Sequence, residues 1–97
     1  MDAARWSERF TEALANEIAL LRKNRGLSRN ELATRSGLAR SFITYLEQGR
    51  AKPSAESLAR LGFALGLSPG QLLKRAEKRC PRIPRFRKDA TRRPRRE

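Results

Sequence analysis

Apolar residues recur at helical spacing along most of this chain. Trp6, Phe10, Leu14, Ile18 and Leu21 follow one another at intervals of four, four, four and three, with charged residues between them. That period puts all five on one face of a first helix, which Asp2 can cap and Asn24-Arg25-Gly26 ends. A short second helix is predicted from Ser28 to Arg35. Ser28 is a good N-cap, Glu31 completes a capping box, and Leu32 and Ala33 form the inner face. Gly37 stands where the chain must reverse, because only glycine takes a positive φ without steric cost, and Leu38 packs in the turn.

A third helix, Ala39 to Gln48, turns Ile43 and Leu46 toward the same core. Gly49 closes it, and Arg50-Ala51-Lys52-Pro53 forms a basic loop. Pro53 disfavours helical geometry at Lys52 and leads into Ser54, the cap of a fourth helix. Leu58, Leu61 and Leu65 give that helix its stripe, and Gly66 ends it. Ser68-Pro69 opens a fifth helix, with proline where a missing N–H costs nothing, and Leu72 and Leu73 pack it down.

Helix, tight turn and helix over residues 28–48 are the centre of this plan. The spacing of Leu32-Ala33, Gly37-Leu38, Ile43 and Leu46 resembles the DNA-binding helix-turn-helix of the Cro/Xre phage-repressor family. The resemblance runs from Leu14 to Leu73. It takes in Ile18, Leu21-Arg22, Gly26-Leu27-Ser28, Glu31, Leu46-Glu47-Gln48-Gly49, Pro53-Ser54 and Ala64-Leu65-Gly66-Leu67. It implies an all-α, compact five-helix, lambda-repressor-like DNA-binding domain over residues 1–79.

Composition changes after that domain. The 97 residues carry a net charge of +13 and a pI near 11.6. Residues 74–97 hold 12 Lys or Arg against three acids, whereas residues 1–73 hold 11 against seven. With Pro81, Pro84 and Pro94 breaking any long helix, residues 80–97 read as a disordered basic tail, with helix reaching to about Arg79. Such charge points first to nucleic acid and second to an anionic surface. No apolar run approaches the ~18 residues of a spanning helix and no signal peptide is visible, so no membrane association is expected and the setting is cytoplasmic. The lone Cys80 fits a reducing compartment. With one cysteine and no histidine, neither a zinc site nor a Cys-His nucleophile pair can be assembled within one chain, and no cofactor is expected.

In the family, the N-terminal part of the second motif helix enters the major groove. The resemblance therefore implies base-edge contacts from Arg40, Ser41, Thr44 and Tyr45, and these four also share one helix face opposite Ile43 and Leu46. Arg40 matches the O6 and N7 acceptors of guanine bidentately, with a phosphate contact or a solvated arginine as its alternatives. Family members often carry glutamine or serine where this chain has Ser41 and Tyr45, so the tyrosine departs from the pattern. Phe42, between the inner and outer faces, fits packing better than a thymine-methyl contact. Arg29, at the start of the second helix, and Arg50 and Lys52, after the third, are expected on phosphates. An Arg22–Glu47 pair, also implied by the resemblance, ties the first helix to the recognition helix and reads no DNA.

Family members commonly bind inverted repeats as twofold dimers. Phe63 breaks the polar face of the fourth helix and marks a dimer interface, with packing under the tail as the alternative. Trp6 and Phe10 fit either an extended core or a dimer contact. No sensor domain is expected after the motif. The function expected is that of a sequence-specific transcriptional regulator, a repressor or autoregulator of phage, mobile-element or controller-protein type. An antitoxin whose tail wraps an acidic toxin, and a non-specific nucleic-acid packaging protein, are the competing readings. An enzyme is disfavoured because no clustered acid, base and nucleophile can be named.

Overall fold

The computed structural model describes residues 1–86. Five helices follow in order: α1 (Ala3–Asn24), α2 (Arg29–Ser36), α3 (Arg40–Glu47), α4 (Ala55–Leu65) and α5 (Pro69–Glu77). No strand occurs among the described residues. At eight residues each, α2 and α3 are too short to persist alone, so their helicity depends on what they bury. The core supplies that. Ile18, Leu32, Ile43, Leu61 and Leu72, one from each helix, meet with no exposed surface. Burying such a side chain contributes about 1.5–3 kcal/mol. Around this centre α1 lies against α5 and α3, α2 against α3 and α4, and α4 against α5.

Local chemistry fixes where each helix begins. The Asp2 carboxylate accepts from the Arg5 N–H at 2.9 Å. Ser28 Oγ accepts from the Glu31 N–H at 3.0 Å while Glu31 Oε1 takes the Ser28 N–H at 2.7 Å, closing the expected capping box. Ser54 with Ser57, and Ser68 with Gln71, close the same ring at the starts of α4 and α5. Gly37 adopts φ 73° and its N–H donates to the Ala33 carbonyl at 2.8 Å, so the bend of the motif depends on glycine's freedom.

The observed helices fall within two residues of the expected bounds. On α4, Ser57, Gly62 and Ala64 are buried along with Leu61 and Leu65, while Leu58 is half-buried at the edge of the core. The α5 helix stops at Glu77, short of Arg79. Packing nevertheless continues further. Cys80 touches the core, and the Trp6 indole N–H donates to the Pro81 carbonyl at 3.0 Å. Of the basic tail expected over 80–97, residues 87–97 lie outside the described residues.

Candidate nucleic-acid interface

Ile43 and Leu46, at 0% and 2% exposure, pin α3 by one face, and that fixes what the opposite face presents. Arg40, Ser41 and Tyr45 are exposed there, and Thr44 is half-buried beside them. The four expected base-edge residues thus come together on one surface. Thr44 Oγ1 is not wholly free, since it donates to the Arg40 carbonyl at 3.2 Å. The N-cap of α3 is Ala39, which offers no side-chain acceptor. The first-turn N–H groups therefore stay open beside Arg40 and Ser41, leaving the positive end of the helix dipole uncompensated.

Glu47 ends α3 and anchors the motif. Its carboxylate, with only 2% of the side chain exposed, accepts Arg22 Nε at 2.6 Å and Nη2 at 3.1 Å. Arg22 Nη1 goes to the Leu27 carbonyl at 2.9 Å, so this guanidinium is spent on structure. The expected Arg22–Glu47 tie is present. Unexpected is a third member: Arg29 Nε donates to Glu47 Oε1 at 3.0 Å, with 39% of the arginine side chain still exposed. Arg29, expected on a phosphate, is thereby tied at one nitrogen to the recognition helix. Burial alone would push the Glu47 carboxyl up, but the hydrogen bonds and charges of Arg22 and Arg29 together hold it below the usual 4.5.

Beyond α3 the chain turns at Gly49, and Arg50 folds back over the Tyr45 ring, its guanidinium carbon 5.3 Å from the ring centroid. Lys52 is exposed nearby. Phe42 is half-buried, packed on the core and lining an open cleft with Leu38 and Ser57, which agrees with the packing role expected of it. Phe63 stands on a different surface, 82% exposed on α4, close to Ala59, Arg60 and the Gly37 turn.

Trp6 and Phe10 stack on each other, centroids 5.6 Å apart, and Phe10 packs on the core. Two features were missed in the sequence. Glu17, with 6% of its side chain exposed, accepts Arg79 Nε at 2.8 Å and lies 3.7 Å from Arg75 Nη1, joining α1 to α5. Its place on the apolar stripe, between Leu14 and Ile18, was the available signal. Gly62 was the other. A Cβ there would run into the Leu67 carbonyl, so the α4–α5 turn needs a residue without one.

Among the described residues, no three or more His, Cys, Asp or Glu are placed to hold a metal ion, and no helix is long and apolar enough to cross a membrane.

Residues 13–76 match the family model of a helix-turn-helix domain. The HTH-type transcriptional regulator y4dJ of Sinorhizobium fredii is 35% identical over 60 residues, covering 62% of this chain and 78% of the relative. The crystal structure of the clp gene regulator ClgR from Corynebacterium glutamicum superposes with TM-score 0.66 at 33% identity, covering 71% of this chain and 73% of that one. The restriction-modification controller protein C.AhdI from Aeromonas hydrophila gives TM-score 0.62 at 32% identity, covering 64% of this chain and 94% of that one. The chain belongs to the Cro/Xre-type helix-turn-helix family of DNA-binding transcriptional regulators.

Proposed function

We propose that two copies of this chain bind an inverted-repeat operator in double-stranded DNA, each laying α3 into the major groove, to repress or autoregulate transcription. The observation that carries the reading is the outward face of α3. Arg40, Ser41, Thr44 and Tyr45 share it, while fully buried Ile43 and nearly buried Leu46 hold the helix from behind. Arg40 takes guanine O6 and N7, and Ser41, Thr44 and Tyr45 complete the reading of each half-site. Arg29, with its remaining guanidinium edge, and Arg50 and Lys52 take phosphates on either side of the groove. Phe63, 82% exposed on α4, is the contact between the two copies. Similarity to C.AhdI favours regulation of the controller-protein kind.

Selection of fragments from a random DNA pool by the purified protein tests this. An inverted repeat with half-sites about 10 bp apart is the expected result. Enrichment of no motif would overturn the reading in favour of packaging or toxin binding. Phe63→Ser should sediment as a monomer with unchanged helical circular dichroism and weakened operator binding. An undisturbed dimer would remove Phe63 from the interface.

A further inference from the structure

Tyr45 and Arg50 are interface residues whose side chains meet each other before any DNA arrives. The Arg50 backbone N–H donates to the Tyr45 carbonyl at 2.8 Å across the Gly49 turn. Its guanidinium then lies over the Tyr45 ring, 5.3 Å from the centroid, and Nη1 reaches Gln48 Oε1 at 3.5 Å. The backbone bond fixes where the arginine starts, and the two side-chain contacts fix where it ends. Tyr45 remains 46% exposed, so the cation occupies part of its surroundings and leaves the rest of the residue open. A ring restrained in this way has less rotamer freedom to lose on docking.

We infer that Arg50 is a positioning residue for Tyr45: its guanidinium, held over the ring, tunes the base-pair preference of Tyr45. This rests on the regulatory reading above and refines it, since Arg50 otherwise contributes only charge to the phosphates. The two roles use different properties of one side chain. Phosphate attraction needs a positive charge, which lysine also supplies. Holding the ring draws on the flat, weakly hydrated guanidinium, which stacks while its edge N–H groups still point at an oxygen. An exposed contact of this kind corresponds to about a two- to fivefold effect on an equilibrium.

The test uses the full chain, the operator recovered by selection, and that operator's single-base-pair variants. Binding is measured for wild type, Arg50→Ala, Arg50→Lys, Tyr45→Ala and the Arg50→Ala/Tyr45→Ala double variant. Tyr45→Ala locates the base pair that the tyrosine reads. Arg50→Ala should relax preference at that same pair by about two- to fivefold and also make the salt dependence shallower. Arg50→Lys should keep the salt dependence yet lose part of the preference. In the double variant, the arginine substitution should change preference no further. Arg50 is exposed and outside the core, and circular dichroism with thermal melting checks that each variant folds. Should Arg50→Ala prove too unstable, Arg50→Lys carries the test. Unchanged base preference in both arginine variants, or additive effects in the double variant, overturns the inference while leaving the regulatory reading intact. A wild-type protein that selects no motif overturns that reading itself, and this inference with it.

Discussion

Residues 13–76, the span of the family match, close on themselves through buried aliphatic side chains from all five helices. The turns on either side, residues 3–12 of α1 and 77–86, set Phe10 and Cys80 at the edge of that core and also meet each other. Trp6 reaches Pro81 and stacks on Phe10, while Glu17, just inside the span, takes Arg79. The side chains expected on base edges stand only in the first region. The second joins the start of α1 to the segment just after α5. From this difference we expect reading and end-to-end attachment to be separable: a substitution should damage one without touching the other, unless it strikes the Glu47 cluster that supports the motif itself.

Glu47→Ala should have the largest effect. It strands the Arg22 guanidinium, whose side chain is only 10% exposed, and frees Arg29. Removing one partner of a buried pair costs about 3–5 kcal/mol, enough to threaten a domain of this size. Thermal melting should show a large fall in midpoint, with DNA binding lost alongside. The pH dependence follows in sign. Arg22 and Arg29 hold the Glu47 carboxyl below 4.5 in the folded chain, so its contribution is full above that value and is lost as pH falls through the folded value. Wild type should therefore destabilise more steeply on acidification below pH 4.5 than Glu47→Gln, which cannot titrate. Equal acid slopes would remove Glu47 from this role.

Gly62→Ala comes next, and it strikes the packing of the first region, away from its DNA-facing side chains. The substitution gains helix propensity of up to about 1 kcal/mol. Against this, the new Cβ meets the Leu67 carbonyl and would stand 3.3 Å from the Pro69 nitrogen, both backbone atoms that cannot swing aside. Overpacking of this sort costs about 1–3 kcal/mol, so a lower thermal midpoint is expected. A raised midpoint would mean that the α4–α5 turn relaxes freely.

Arg40→Ala should show the separation in one direction. Its side chain is exposed, and surface substitutions away from special features change stability within about 0.5 kcal/mol. A bidentate guanine contact carries about 1–3 kcal/mol of discrimination, so preference at one base pair per half-site should relax. The salt dependence should hardly move. If Arg40→Ala instead weakens every sequence equally and lowers the salt slope by about one, Arg40 is a phosphate contact.

Helix starts and core positions were legible because they are set by neighbours in sequence. Ser28 with Glu31, and Ile43 with Leu46, lie within a helical turn of each other, and both behave as their spacing implies. Contacts that depend on how separate helices lie against one another left a weaker trace. Arg29 was legible as a cation at a helix start, but its tie to Glu47 required knowing that α2 begins beside the end of α3. Gly62 gave no signal of its own, because what demands a glycine there is the return of the chain at Leu67. Trp6 and Pro81, 75 positions apart, meet only because α5 runs back along α1.

Trp6→Phe should have the smallest effect and show the separation in the other direction. Phenylalanine can keep the stack on Phe10 but has no indole N–H to give the Pro81 carbonyl. Losing one such bond costs about 0.5–1.5 kcal/mol, most of it local to the joined ends. Brief trypsin digestion can read that directly, because cleavage after Arg79 requires the segment around it to open. At about 1 kcal/mol, the opened population and the cleavage rate should rise about fivefold. Cleavage after Arg85, beyond the Trp6–Pro81 contact in a segment already exposed, should not change and serves as the internal control. Operator preference should stay at its wild-type pattern. A change in base preference in Trp6→Phe, with the fold intact, would show that the joined ends take part in reading and that the two regions are not separable.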